Sequence, residues 1–95
     1  MLLHLVCFKY KPEVDEPART AHRARLATLR DLDGVVDFKV GADVVRAARS
    51  YDTGLCVTFE DRAALDSYAR HPRHGPVAQL GVELSEHIVA CDFEI

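Results

Sequence analysis

The sequence is short of the features that tie a chain to a membrane, a secretory route or a nucleic acid. No apolar run approaches the ~20 residues that a bilayer span needs. The opening MLLHLVCFKYKP is apolar, but it has no basic n-region and no small-residue cleavage site, so it does not read as a signal peptide. The basic residues are scattered, no aromatics interleave with them, and the net charge is −3, which argues against a nucleic-acid ligand. Internal repeats, linkers and low-complexity segments are absent. Three cysteines, Cys7, Cys56 and Cys91, are an odd number with no CxxC pair. Each falls in an apolar, strand-like run, and no base in the sequence marks any of them as a catalytic thiol. The expectation is three reduced, buried thiols in a cytoplasmic protein.

What is present fits a single folded domain over residues 1–95. Apolar residues make up 48% and charged residues 28%, a globular rather than a disordered balance. A chain of this size gains from a partner, because it buries only a modest share of its surface alone. LLHLVCFKY, residues 2–10, is apolar, bounded by Lys11-Pro12, and predicts a strand. Residues 17–33 have helical character, with Pro17 in the first turn, a stripe of Ala18, Ala21, Leu26, Leu29 and Leu32, and Gly34 as the terminating glycine. Strands are expected at 35–41 and 51–59. Asp61 caps a second helix over 61–70 that must stop near His71, because Pro72 follows. A short helix over 75–84, with Pro76 at its first position, and a strand over 87–95 complete the chain.

This order, β-α-β-β-α-(α)-β, is that of the ferredoxin-like α+β unit, with helices on one face of an antiparallel sheet. The first strand sets Leu2, His4, Val6, Phe8 and Tyr10 on one face against Leu3, Leu5 and Cys7 on the other. The last sets Val89, Cys91, Phe93 and Ile95 against Ile88 and Ala90. Both faces are largely apolar and helices can cover only one. The uncovered face implies a homodimer whose sheets pack together with two-fold symmetry.

SYARHPRHGP, residues 67–76, gathers a tyrosine and two histidines around prolines. Tyr68 lies one helical turn from Leu65 and Ala64, on the face that points inward. His71 sits at a helix end, where an imidazole can bond the last carbonyls. A metal site is disfavoured, because zinc takes three or four ligands and Pro72 breaks the helix that would align His71 with His74. His22 and His87 have no partner in sequence and read as surface or packing residues. Asp92 reads as support for the final strand or a dimer contact.

Four segments in this order resemble the Dabb family, the stress-responsive dimeric α/β-barrel domain. They are HLVCFKYKP (4–12), DGVVDFKVG (33–41), YDTGLCVTFEDRAALDSYARHPRH (51–74) with its HPxH, and VACDFEI (89–95). The resemblance implies a dimeric barrel of two ferredoxin-like subunits, each with a ligand cavity between sheet and helices. One group of the family, the olivetolic acid cyclase-type polyketide cyclases, closes polyketide chains by aldol condensation without a cofactor. The resemblance to that group implies catalytic roles for Tyr68 and His74 as an acid/base pair, with His4 assisting. Such chemistry removes a proton next to a carbonyl and stabilises the enolate, and imidazole titrates in the right range. The sequence departs from the cyclases at Asp52-Thr53-Gly54, where they carry a further histidine. The expectation is a homodimer with no cofactor and no metal, taking a small apolar or aromatic ligand. A non-catalytic stress-response or ligand-binding dimer is the alternative, and a cofactor-free monooxygenase of the antibiotic-biosynthesis type is a third reading.

Overall fold

In the computed structural model, which describes all 95 residues, β1 (Leu2–Tyr10) leads through α1 (Glu16–Ala27) to β2 (Val35–Ala42) and β3 (Thr53–Phe59). The helices α2 (Arg62–Arg70) and α3 (His74–Leu84) precede β4 (Ser85–Glu94). The four strands form one antiparallel sheet in the order β2-β3-β1-β4, the expected ferredoxin-like arrangement. Alternation along the central strands sends Leu2, Val6, Phe8 and Tyr10 of β1, and Leu55, Val57 and Phe59 of β3, to the side covered by helices. Leu26, Leu29, Leu32, Tyr68 and Val77 close the core from above.

α1 begins as the sequence predicts, with the Asp15 carboxylate accepting the Ala18 N–H at 3.0 Å and Pro17 in the first turn. It ends earlier. At Thr28 the backbone tightens into i→i+3 bonds, and the Thr28 hydroxyl donates to the Arg25 carbonyl at 2.6 Å, so residues 28–33 are turns and not helix. The inward stripe also differs. Ala21 is exposed and His22 takes the place beside Leu26. β3 starts two residues later than expected, because Asp52 is drawn inward to the β1 backbone. α3 starts at His74, which puts Pro76 at its third residue, not its first.

Gly34 carries φ +88° in the turn into β2, and a Cβ there would lie 2.7 Å from the Ala64 Cβ. Left-handed backbone and close helix approach both demand glycine. Gly34→Ala should therefore lower stability by about 2 kcal/mol, read as a drop in the urea midpoint. An unchanged midpoint would show that α2 yields at no cost.

The far side of the sheet has no helix. Register places Leu3, Leu5 and Cys7 there, with Cys56 on one side and Val89, Cys91 and Phe93 on the other. Val89 is 48% and Phe93 41% exposed. All three cysteines are free, but they are not buried: Cys7 and Cys56 are half-covered and Cys91 is exposed. No helix is long and apolar enough to cross a membrane.

Candidate functional site

Between the sheet and the helices lies a cavity of about 260 Å³. Most of its lining is apolar, with Val6, Phe8 and Leu55 from the sheet, Leu26 and Leu29 from the α1 side, and Val77, Ala78 and Val82 from α3. Three polar side chains interrupt it, His4, Tyr68 and His74. Sequence position alone holds them far apart, and three elements bring them together. β1 alternation points His4 to the helix side. The inward stripe of α2 delivers Tyr68. The break at Pro72 lets the chain turn so that His74 opens α3 beside it.

The Tyr68 and His74 rings meet edge to face, 5.0 Å between centroids, and His4 lies 6.2 Å from Tyr68. The Tyr68 hydroxyl makes no hydrogen bond within the chain, so the direct phenol–imidazole bond suggested by an acid/base pair is absent in this state. Burial pushes the Tyr68 phenol up to about 12. It is therefore a proton-bearing donor at neutral pH. Burial, and to a lesser degree the charge of His4, holds the His74 imidazole below its ordinary value. His74 is therefore neutral near pH 7 and free to accept a proton.

Sequence reading did not find one member of this site. The β1–β4 register sets Asp92 directly opposite His4, and its carboxylate hydrogen-bonds the His4 Nδ1. Asp92 is thus a side-chain partner of a cavity histidine, not only a support of the last strand. A carboxylate at Nδ1 takes the proton-bearing nitrogen and leaves Nε2 with its lone pair. The signal was parity: Asp92 shares its face with Ile88 and Ala90, the helix side.

Other candidates fall outside. His71 does not line the cavity. Its Nδ1 accepts the Arg73 backbone N–H at 3.1 Å instead of capping the carbonyls before it. His87 is exposed on β4. His22 is fully buried and bonded to Tyr10. Just before β3, Asp52 accepts the Tyr10 N–H at 2.8 Å and the Arg46 guanidinium at 2.6 Å. Burial works to raise the Asp52 carboxyl, but these donors and Arg19 hold it below its ordinary value. That node fastens the β2–β3 loop to β1 and takes no part in the cavity.

The model of the stress-responsive A/B barrel domain matches residues 2–95. The chain belongs to this family. A solved relative, a dimeric ferredoxin-like protein of unknown function from a Jannaschia species, is 31% identical, with 99% of this chain and 98% of that chain covered and a TM-score of 0.83. A Dabb protein from Mesorhizobium loti is 23% identical over 99% of this chain and 95% of its own, with a TM-score of 0.84. The hydroxynitrile lyase of Passiflora edulis shares the fold at 19% identity, covering 99% and 92%, with a TM-score of 0.88. No curated protein matches the chain in sequence. Within the Dabb fold the cavity lies on the helix side, opposite the bare sheet face.

Proposed function

We propose that this Dabb protein is a homodimeric, cofactor-independent enzyme that moves a proton next to the carbonyl of a small apolar or aromatic, polyketide-like compound, as a cyclase or isomerase does. The observation that carries the reading is the convergence of His4, Tyr68 and His74 on one otherwise apolar cavity. His74, uncharged through burial, is the base. Tyr68 donates to the carbonyl oxygen as it gains enolate charge, a role that suits a phenol held far above neutrality. Once protonated, His74 returns the proton, and His4, oriented by Asp92, assists by accepting a hydrogen bond through its Nε2 lone pair. The name of the Passiflora edulis neighbour supports catalysis on small oxygenated molecules in this fold.

The test is exchange of the methyl protons of acetophenone in D2O, followed by NMR. The protein should accelerate exchange well beyond free imidazole at equal concentration. No acceleration sinks the enzymatic reading. A ligand-binding dimer without turnover is the second reading, favoured by the missing Tyr68–His74 hydrogen bond. It expects acetophenone to bind without exchange.

The bare apolar face supports pairing of two copies sheet to sheet, and the Jannaschia relative is described as dimeric. Light scattering should give twice the 10.6 kDa of one chain, and Phe93→Asp should halve it. A wild-type mass of one chain would refute the pairing. We place the dimer in the cytoplasm, where its free thiols stay reduced.

A further inference from the structure

Behind the cavity wall lies a second polar group that the proposed chemistry does not use. His22 is fully buried on α1, and its Nε2 has no hydrogen-bond partner. Its Nδ1 lies 2.6 Å from the Tyr10 hydroxyl, which lies 2.9 Å from the Thr53 hydroxyl. Arg23 donates to that same Thr53 oxygen at 3.0 Å. Guanidinium can only donate, so the Thr53 oxygen accepts from Arg23 and keeps its own hydrogen to give. Thr53 accepts from Arg23 and passes its own hydrogen to Tyr10, and Tyr10 donates to His22 Nδ1. The reverse order would strand the Thr53 hydrogen. His22 is therefore the Nε2–H tautomer, with a buried donor and nothing to receive it. A buried donor left in this way is costly, and an acceptor oxygen brought to it would remove that cost.

The surroundings of Nε2 show where a partner could come from. A Cβ on Gly81 would lie 3.4 Å from Nε2 and 3.0 Å from the Phe8 ring, so the glycine leaves the imidazole and the ring together under α3. Phe8 stands edge to face with His22 at 4.9 Å and also lines the cavity. One aromatic ring separates the unpartnered donor from the ligand space.

We propose that His22 Nε2–H is the far pole of the binding site, reached when Phe8 swings aside, and that it receives a second acceptor oxygen of an elongated carbonyl ligand. This rests on the reading of the cavity as a carbonyl site and deepens it. The ligand class becomes a compound with oxygens at both ends of an apolar spacer, one for Tyr68 and one for His22.

The experiment compares para-diacetylbenzene with para-ethylacetophenone, which lacks only the second carbonyl. Side-chain ¹⁵N–¹H spectra of the wild-type protein report the His22 Nε2–H and the His74 ring separately. Saturation with para-diacetylbenzene should move the His22 Nε2–H proton downfield, and para-ethylacetophenone should not. The diketone should bind roughly fivefold more tightly, the worth of one neutral hydrogen bond. His22→Leu should erase that preference. A diketone that perturbs His74 and leaves His22 unmoved overturns the second pole and spares the carbonyl site. Failure of both compounds to bind overturns both. A His22 response without proton exchange upholds the pole and removes the catalysis.

Discussion

His74→Ala is expected to cut exchange of the acetophenone methyl protons by roughly a hundred- to ten-thousand-fold, the usual worth of a positioned general base. His74 stands neutral in a mostly apolar wall. Burial and the nearby His4 both lower its affinity for a proton, so it is a free base at pH 7. Tyr68→Phe should cost roughly a hundred- to a thousandfold, because it removes the donor proposed for the developing oxyanion. The phenylalanine keeps the packing on Phe59 and His74, so urea stability should barely change. Asp92→Asn should cost less, roughly tenfold, since it disturbs only the orientation of His4. The pH profile separates these roles. His74, held below its ordinary value, keeps the rate up to lower pH than free imidazole would. Tyr68, near 12, loses no proton across the neutral and mildly alkaline range, so no basic limb should come from it. Equal activity in wild type, His74→Ala and Tyr68→Phe would remove the assignment.

The strands and their order were legible because period-2 alternation and turn residues are local signals. His4 could be placed on the helix side of β1 from parity alone. Asp61 and Pro72 marked the ends of α2 for equally local reasons, a side-chain cap and a missing N–H. Asp92 was not legible as a site residue. Its partner stands 88 positions away, and only the β1–β4 register brings the two together. His22 was left open between surface and packing because a histidine does not register as part of an apolar stripe. The spacing of Ala18, His22, Leu26 and Leu29 is nonetheless that of one helix face, and Ala21 lies off it. The three thiols were expected inside because a strand apolar on both faces looks buried on both. In the single chain one of those faces is bare. Residues 28–33 looked helical because Leu29 and Leu32 continue the stripe. They still reach the core, but from tight turns closed by the Thr28 hydroxyl.

His22 carries the largest expected effect on stability. Burial, aided by the charge of Arg23, lowers its imidazole from the ordinary value of 6.5 to about 4. The folded chain therefore refuses a proton that the unfolded chain accepts. Between pH 6.5 and 4 the unfolded state binds more protons, so stability must fall as pH falls. The loss from this one group reaches about 3 kcal/mol by pH 4, at about 1.4 kcal/mol for each pH unit. His74, shifted in the same direction, adds to it in the same window. Asp52 acts elsewhere. Its lowered carboxyl contributes stability above its ordinary value of 3.8, and that contribution is lost only as pH falls below it. Urea midpoints measured at fixed protein concentration should therefore decline from pH 7 to pH 4, ahead of the loss of the Asp52 contribution. Tyr10→Phe should lower stability at every pH, since it leaves Nδ1 and the Thr53 hydroxyl unmatched, and should keep the slope. His22→Gln should also lower stability at pH 7, but it should flatten the slope, because the group that refuses the proton is gone. A wild-type midpoint independent of pH across that window would mean that His22 meets solvent readily, and the buried donor behind Phe8 would lose its basis.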